Sequence, residues 1–237
     1  MTLSERVKQT IQPQYTSNLV ESFYQPLLSE ANLYQRVSGY FTTAGLDLYA
    51  EGLEELAKNG GKVEFIISKA ISADDYHKIQ AGYNLLNEIK PLKLAERNDK
   101  LNTKTQQQLG NLAFMIASGH ARVKIALTYK GIFHDKFGLI HSGEECVLFS
   151  GSANETQSGI SKNYESISVD VSWDKSEDVV SRLHSYKGRF AGLWHDCEPG
   201  VKVIEASELA YEQIAKYQPQ AQIEYRDIQD DNLAFLD

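Results

Sequence analysis

The most informative part of the sequence consists of three stretches: Phe133-His-Asp-Lys-Phe-Gly-Leu-Ile-His141, Phe149-Ser-Gly-Ser-Ala-Asn-Glu155 and Asn163-Tyr-Glu-Ser166. The first is typical of a strand. Side chains alternate along a strand, so His134 and Lys136 are expected on one face. A neutral imidazole can attack phosphorus while a neighbouring ammonium holds the phosphate oxygens. This pair therefore predicts phosphoryl chemistry.

The second stretch supplies neutral groups for the same anion. Gly151 lets backbone N–H groups approach a phosphate, and the polar side chains nearby offer hydrogen bonds; these candidates are Ser150, Ser152 and Asn154. Glu165, in the third stretch, would fix the tautomer of the histidine and stabilise its charged form. Ser152 and Asn154 taken alone would suit an ordinary turn, and Glu165 could instead pair with Lys162 at the surface.

The flanking sequence predicts a β-α-β unit. A strand over 36–42 is followed by a helix over 44–58 with Thr43 as its N-cap, and then by a buried strand over 62–69. Tyr40 and Phe41 end the first strand, near the sheet edge where ligands usually bind. One of them is a candidate for stacking on a base, Tyr40 in particular, with a role in the core as the alternative.

The rest of the chain continues the alternation of helices and strands. Helices are predicted over 73–90, 109–118, 177–194 and 207–217, and strands over 122–129, 132–141, 146–150, 166–173 and 202–205. The segment 93–108 is polar and shows no clear pattern. The expected fold is a single α/β domain with a mixed, mostly parallel sheet and helices on both faces.

Composition excludes several classes of protein. Of the 237 residues, 42% are hydrophobic and 24% charged, which argues against disorder. No apolar run approaches the roughly 20 residues of a membrane span. The polar start over 1–14 lacks a signal-peptide core, so a cytoplasmic location is expected. Two cysteines are too few for a disulfide framework or a four-cysteine zinc site.

The net charge of −8 argues against a strongly basic nucleic-acid coat protein. The acidic residues are concentrated after residue 204. A near-neutral body with an acidic tail is compatible with a local phosphate site.

The pattern HxK, a β-turn, GSxN and then a glutamate resembles the phospholipase D superfamily, whose signature is HxKxxxxD followed by GSxN. His134 and Lys136 fall on the family's nucleophilic histidine and its lysine. Ser152 and Asn154 fall on the serine and asparagine of GSxN. Glu165 falls eleven positions after that asparagine, where nucleases of the family place a histidine-orienting glutamate.

The resemblance has two departures. His141 occupies the position of the motif aspartate, and the hairpin before GSxN has nine residues, more than in the family. Some restriction-type nucleases of the superfamily also lack the aspartate. The family's mechanism implies two histidines and neither a metal nor another cofactor. Since this chain has one HxK, the resemblance implies a homodimer in which His134 of each subunit faces the other and both copies of Lys136 neutralise charge.

Further likeness runs from Val37-Ser-Gly-Tyr-Phe-Thr-Thr-Ala-Gly-Leu46 to Phe190-Ala-Gly-Leu-Trp194. It is similar to phospholipase D-like nuclease domains at the N-terminus of bacterial helicases, including those linked to phage defence and restriction. The implied division is a helical lead over 1–34, a nuclease domain over 35–217 and an acidic tail or linker over 218–237. The sequence has no GxxxxGK[ST] loop, so a helicase motor would lie on a longer parent chain or on a separate partner.

Three functions compete. The leading hypothesis is a metal-independent phosphodiesterase that cleaves nucleic acid, with DNA favoured over RNA. A phospholipase or phosphatidyltransferase is opposed by the single motif, the missing aspartate and the lack of an amphipathic membrane segment. The third is a catalytically weak domain that only binds nucleic acid or dimerises.

A metal site is a further alternative, because imidazole and carboxylate suit zinc or manganese. Its candidate ligands are His120, His134, Asp135 and His141. Strand alternation disfavours it, since an unbroken strand would turn Asp135 and His141 away from His134.

Overall fold

The computed structural model describes residues 2–7, 14–15, 18–128, 131–156, 160 and 165–217. Its strands form one eight-stranded sheet in the order β1-β7-β6-β5-β2-β3-β4-β8. The strands are β1 (Gln14–Tyr15), β2 (Leu33–Ser38), β3 (Lys62–Ser68), β4 (Ala121–Thr128), β5 (Lys136–Ser142), β6 (Glu145–Gly151), β7 (Ile167–Val171) and β8 (Val201–Glu205).

The helices follow the predicted pattern closely. They are α1 (Leu3–Val7), a π-helical turn (Val20–Tyr24) that continues into α2 (Gln25–Leu28), α3 (Thr43–Asp47), α4 (Ala50–Lys58), α5 (Ala73–Ile89), α6 (Leu94–Lys100), α7 (Thr103–Leu109), α8 (Asn111–Ala117), α9 (Glu177–Trp194) and α10 (Tyr211–Tyr217). The polar segment 93–108, which showed no clear pattern, forms most of α6 and α7. None of the helices within the described ranges is long and apolar enough to cross a membrane.

The sheet is mixed, as expected, but the expectation that it is mostly parallel is wrong. Only β2–β3 and β3–β4 pair in parallel, and the other five pairings are antiparallel. The connection from β5 to β6 is a tight turn. A turn of that length can only reverse the chain, whereas a parallel neighbour needs a crossover of a dozen or more residues.

Helices cover both faces of the sheet, as predicted. One face carries the larger core, which includes Leu27 of α2, Leu53 of α4, Ile79 of α5 and Ile116 of α8. The other face is covered by α9, whose Leu183, Phe190 and Leu193 pack on Val37, Phe137 and Leu148. The central strands β2 and β5 are buried on both sides, because Tyr34 and Ile140 belong to the larger core while Val37, Phe137 and Leu139 belong to the core under α9.

The single helix predicted over 44–58 is divided into α3 and α4. Its N-cap is Thr42, not Thr43, because the Thr42 hydroxyl accepts a hydrogen bond from Gly45 N at 3.1 Å. Thr43 instead donates to Asp75 Oδ1 through both its N–H and its hydroxyl. Tyr49 lies between the two helices, and its fully buried side chain extends into the core.

Strand register brings the motif stretches to one edge of the sheet. Ser38 at the end of β2 is opposite Lys136, Phe137 is opposite Ser150, and Gly151 is opposite Ile167. The loops that follow β2 and β6 and precede β5 and β7 therefore meet there. We call this edge the motif edge.

A buried ion pair lies beneath the motif edge. Arg36 Nε donates to Glu155 Oε1 at 2.6 Å, and these side chains are 1% and 0% exposed. Arg36 also donates to the carbonyl of Ala153 at 2.7 Å, while Tyr49 OH donates to Glu155 Oε2 at 2.5 Å. Burial and the charge of Glu155 raise the pKa of Tyr49, so the hydroxyl stays protonated and remains a donor.

Loss of one partner of this pair should destabilise the protein strongly. Glu155→Ala leaves the Arg36 guanidinium buried without its counter-charge, which should lower the free energy of unfolding by about 3–5 kcal/mol. Urea unfolding measures the change. The control Glu54→Ala removes a glutamate that is 57% exposed and pairs with Lys58, and should cost less than about 1 kcal/mol.

The double variant Arg36→Met with Glu155→Leu leaves no buried charge unpaired and should therefore be more stable than Glu155→Ala. Equal losses of unfolding free energy in Glu155→Ala and Glu54→Ala would show that the buried pair contributes no more to stability than an exposed one.

Candidate active site

The centre of the motif edge is the contact between His134 and Lys136. Strand β5 begins at Lys136, so His134 and Asp135 lie in the loop before it and not within the predicted strand. The two side chains nevertheless meet. Lys136 Nζ is 2.9 Å from His134 Nε2 and donates to the His134 carbonyl at 3.1 Å. The imidazole itself is exposed.

This contact defines the state of the imidazole. An ammonium has donors only, so His134 Nε2 must be the acceptor and the ring hydrogen must lie on Nδ1. The nitrogen that carries the lone pair therefore points toward the cation. A phosphate that entered the site would present oxygens to the same ammonium and would free Nε2 for reaction.

The pKa of Lys136 is lowered from its ordinary value. Burial is the main cause, and the charge of Arg36 adds to it, while Asp135 and Glu165 act in the opposite direction. Lys136 therefore loses its proton at a lower pH than a free lysine does.

The GSAN segment, residues 151–154, is held against the start of β7. A Cβ on Gly151 would lie 2.0 Å from the Ser166 carbonyl oxygen, so no other residue fits there. Ser152 N donates to Ser166 O, and Ser166 N donates to Ser152 Oγ, both at 3.1 Å. Ser152, predicted as a phosphate contact, thus binds the backbone next to Glu165.

Asn154 and Tyr40 form the other side of the site. Asn154 Oδ1 accepts from Tyr40 N at 3.1 Å, which leaves the amide NH2 as the group for a ligand. The Tyr40 ring is 41% exposed and packs edge-on against His134 with 5.6 Å between centroids. Phe41 is buried instead. Gly39 lets the chain at Tyr40 come this close to His134, because a Cβ on Gly39 would lie 3.0 Å from His134 Cα.

Two further predicted residues have less defined positions. Glu165 lies two residues before β7, at the motif edge, and its charge opposes the lowering of the Lys136 pKa; its role in orienting His134 stays a prediction. Ser150 lies in β6 opposite Phe137 and Ser168, and its contact with substrate also stays a prediction.

The residue at the motif-aspartate position lies far from the site. His141 pairs with Leu33 at the opposite end of β5, five residues from Lys136, which is about 16 Å along a strand. His141 Nε2 lies 3.2 Å from Gln35 Oε1. Burial, with a smaller effect of Lys187, lowers its pKa to about 4. His141 is therefore neutral at pH 7, and its side chain is partly buried.

The proposed metal cluster is not assembled. His120 lies just before β4, at the same far edge, with its Nδ1 2.9 Å from Gly61 O. Along the described ranges, no three histidine, cysteine, aspartate or glutamate side chains come close enough to hold a metal ion.

Sequence reasoning missed Arg36 and Glu155 as supports of the site. Arg36 holds the Ala153 carbonyl and the Glu155 carboxylate, which flank Asn154 on both sides. The available signal was an arginine inside an otherwise buried strand, since such a charge is rarely buried without a partner. Its partner, directly after GSAN, could not be identified from spacing.

With this geometry established, comparison with known proteins identifies the family. The model described as "Cardiolipin synthase, PLD-like domain" matches residues 26–191. The chain belongs to the PLD-like domain family. This agrees with the resemblance inferred from His134, Lys136 and the GSAN segment. No curated protein matches the sequence.

Several solved structures are similar to this chain at low sequence identity. Polyphosphate kinase from Porphyromonas gingivalis has a TM-score of 0.48 and 10% identity, over 82% of this chain and 24% of that one. Nuc from Salmonella typhimurium, a phospholipase D family member, has a TM-score of 0.42 and 15% identity, over 75% and 92%. Phosphatidylserine synthase from Haemophilus influenzae has a TM-score of 0.46 and 14% identity, over 84% and 41%. This chain therefore spans about a quarter of the kinase and less than half of the synthase.

The lowered pKa of His141 predicts a specific loss of stability in acid. In the unfolded chain His141 takes up a proton near pH 6.5, but in the folded protein it does so only near pH 4. The stabilisation of the folded state by neutral His141 is therefore complete above pH 6.5 and is lost as the pH falls toward 4. Between pH 7 and 4 the free energy of unfolding should fall by about 3 kcal/mol more in the wild type than in His141→Gln. Urea unfolding at both pH values measures this, and parallel losses would contradict it.

Proposed function

We propose that this PLD-like chain is a metal-independent phosphodiesterase that cleaves nucleic acid, DNA in preference to RNA, through a phosphohistidine intermediate. The observation that carries the proposal is the contact of His134 Nε2 with Lys136 Nζ at an exposed sheet edge. An unprotonated ring nitrogen and a phosphate-binding cation occur there side by side. The resemblance of the motifs to nucleases of the family supports the choice of nucleic acid.

The first step is in-line attack on the phosphodiester. Phosphate oxygens draw the Lys136 ammonium away, and the lone pair of His134 Nε2 forms a P–N bond as the P–O bond to the leaving group breaks. Lys136 and the Asn154 amide stabilise the negative charge that builds on the phosphoryl oxygens. The departing oxygen takes a proton from a second imidazole, so the first product leaves as an alcohol.

The second step returns the enzyme to its starting state. The second imidazole, now neutral, removes a proton from water, whose oxygen attacks phosphorus while the P–N bond breaks. The products are a phosphate monoester and free His134. The Glu165 carboxylate would bind the Nδ1 hydrogen of His134 and stabilise the positive ring during both steps.

The second imidazole has to come from another HxK. The sequence contains one, at His134, so we propose that two copies of the chain form the complete site, related by a two-fold axis. Ser150 and Gly151 would line it at the end of β6. The same proposal includes three segments: a lead over 1–34, a nuclease domain over 35–217 and an acidic tail or linker over 218–237, which lies outside the described residues. It also includes a cytoplasmic location and a helicase partner in phage defence or restriction.

Cleavage should occur in EDTA and depend on His134. We expect wild-type protein to cut single- or double-stranded DNA without added metal, and His134→Ala to lose at least about a thousandfold in rate, since it lacks the nucleophile. Gel electrophoresis of labelled DNA and of labelled RNA, together with an assay of phosphatidylcholine hydrolysis, identifies the substrate class. The control is His184→Ala, an exposed histidine on α9, which should cleave like the wild type.

Cleavage only with added metal would exclude the phosphohistidine mechanism. Lipid hydrolysis without cleavage of nucleic acid would support a phospholipase. Absence of cleavage in a chain that remains dimeric by light scattering would indicate a binding module.

Activity should also fall at alkaline pH as Lys136 loses its proton. Because burial lowers the pKa of this lysine, the decline in kcat/KM should begin at a lower pH than for an ordinary lysine. Lys136→Arg should be slower, but its pH profile should lack this decline, because a guanidinium stays charged. The same alkaline decline in both proteins would assign it to another group.

A further inference from the structure

A cleft of about 470 Å3 opens beside His134. This volume lies within the range of small-molecule sites, about 300–1,000 Å3. The apolar part of its wall consists of Ile132, Phe133, Leu193, Pro199 and Val201, and the charged part of Asp135, Arg189 and Glu198. Two carboxylates and one guanidinium give the wall a net negative charge. Beyond His134 itself, the wall therefore favours a polar, uncharged ligand over a second phosphate.

Arg189 enters the cleft from α9 with its donors available. Its Nη2 lies 3.0 Å from Asp135 Oδ2. The contact is an ion pair without hydrogen-bond alignment, since the buried Oδ2 has no hydrogen-bond partner within the described residues. The carboxylate therefore holds the guanidinium through Nη2, and the remaining N–H donors of the five are left for a ligand.

Glu198 supplies an acceptor on the same wall. Its Oε2 would lie 3.5 Å from a Cβ on Gly192, one turn along α9 from Arg189. A donor fork and a carboxylate acceptor thus face one space bounded by apolar side chains. A flat ring that carries acceptors on one edge and donors on the next fits this arrangement.

From this arrangement we propose that the cleft binds a nucleobase next to the scissile phosphate and that its preferred base is guanine. Arg189 donates to O6 and N7 of the base, the most common specific contact to guanine. Glu198 accepts from N1–H and the 2-amino group, and the apolar wall contacts the ring faces. This inference rests on the proposed function, because it assigns base specificity to the same site.

His134 lines the cleft and also contacts Tyr40, which is not part of the cleft wall. Tyr40 packs against the imidazole ring, while Asp135 leads from His134 into the cleft. A strand that crosses the nucleophile would place one base on the exposed Tyr40 ring and the next in the cleft.

Binding of labelled trinucleotides tests the inference independently of cleavage. The probes are fluorescein-labelled TXT trinucleotides with X as guanine, hypoxanthine or adenine, measured by anisotropy on His134→Ala protein, which cannot consume them. We expect guanine to bind about tenfold more tightly than adenine. Adding Arg189→Ala should reduce this ratio to near one. Adding Glu198→Ala, which removes the acceptor, should abolish the advantage of guanine over hypoxanthine, which lacks the 2-amino group.

Arg182→Ala is the matched control. Arg182 is also on α9, is 50% exposed against 49% for Arg189, and pairs with Asp170 away from the cleft. It should leave all three affinities unchanged. Equal weakening of the three probes by Arg189→Ala would indicate a backbone contact and overturn the inference, as would an equal effect of Arg182→Ala or the absence of binding.

The two proposals can fail separately. Guanine preference in a protein that cleaves nothing would leave the cleft assignment intact and reject the nuclease. Cleavage of DNA in EDTA without any base preference in binding would do the reverse.

Discussion

Arg36 and Glu155 meet in the core at 2.6 Å, both essentially inaccessible to water. Removing two charges from water is costly, and the cost is offset only when each has several partners. Here the partners come from separate parts of the chain: the Ala153 carbonyl, the Tyr49 hydroxyl between α3 and α4, and the Phe149 ring, whose centroid is 5.0 Å from the guanidinium carbon. The pair therefore forms only when β2, β6 and the helical layer are assembled.

The chemistry at the motif edge depends on this support. Backbone contacts extend outward from the pair, since Glu155 N donates to Ser38 Oγ and Thr42 N donates to Glu155 O. Between those two contacts the chain carries Tyr40, whose N–H fixes Asn154. A loop would otherwise hold such side chains loosely. The buried ion pair thus fixes the positions of these loop side chains as firmly as strand pairing would.

Sequence patterns predicted the parts of this structure that depend on local or closely spaced residues. Helix α9 was predicted with its observed ends, and the HxK and GSAN stretches do meet, because strand pairing aligns them. Patterns marked β5 and β6 as a hairpin, but they did not determine the direction of the other strands, since an apolar run does not show which way its neighbours run. They also could not connect Arg36 with Glu155, which are 119 residues apart. The motif also did not reveal that His141, at the aspartate position, lies at the end of β5 away from the site.

The contact between Lys136 and His134 has a consequence for selectivity among reagents. In the free protein the nucleophilic lone pair is already engaged by a cation. Electrophiles that carry no anionic oxygen, such as alkylating agents, meet an imidazole whose lone pair is hydrogen-bonded and therefore less nucleophilic. A phosphate or its oxyanion mimics displace the ammonium as they bind, so the reactive form of the ring arises only in their presence. The negative charge of the substrate thus frees the His134 lone pair for reaction, and side reactions with uncharged electrophiles are slowed.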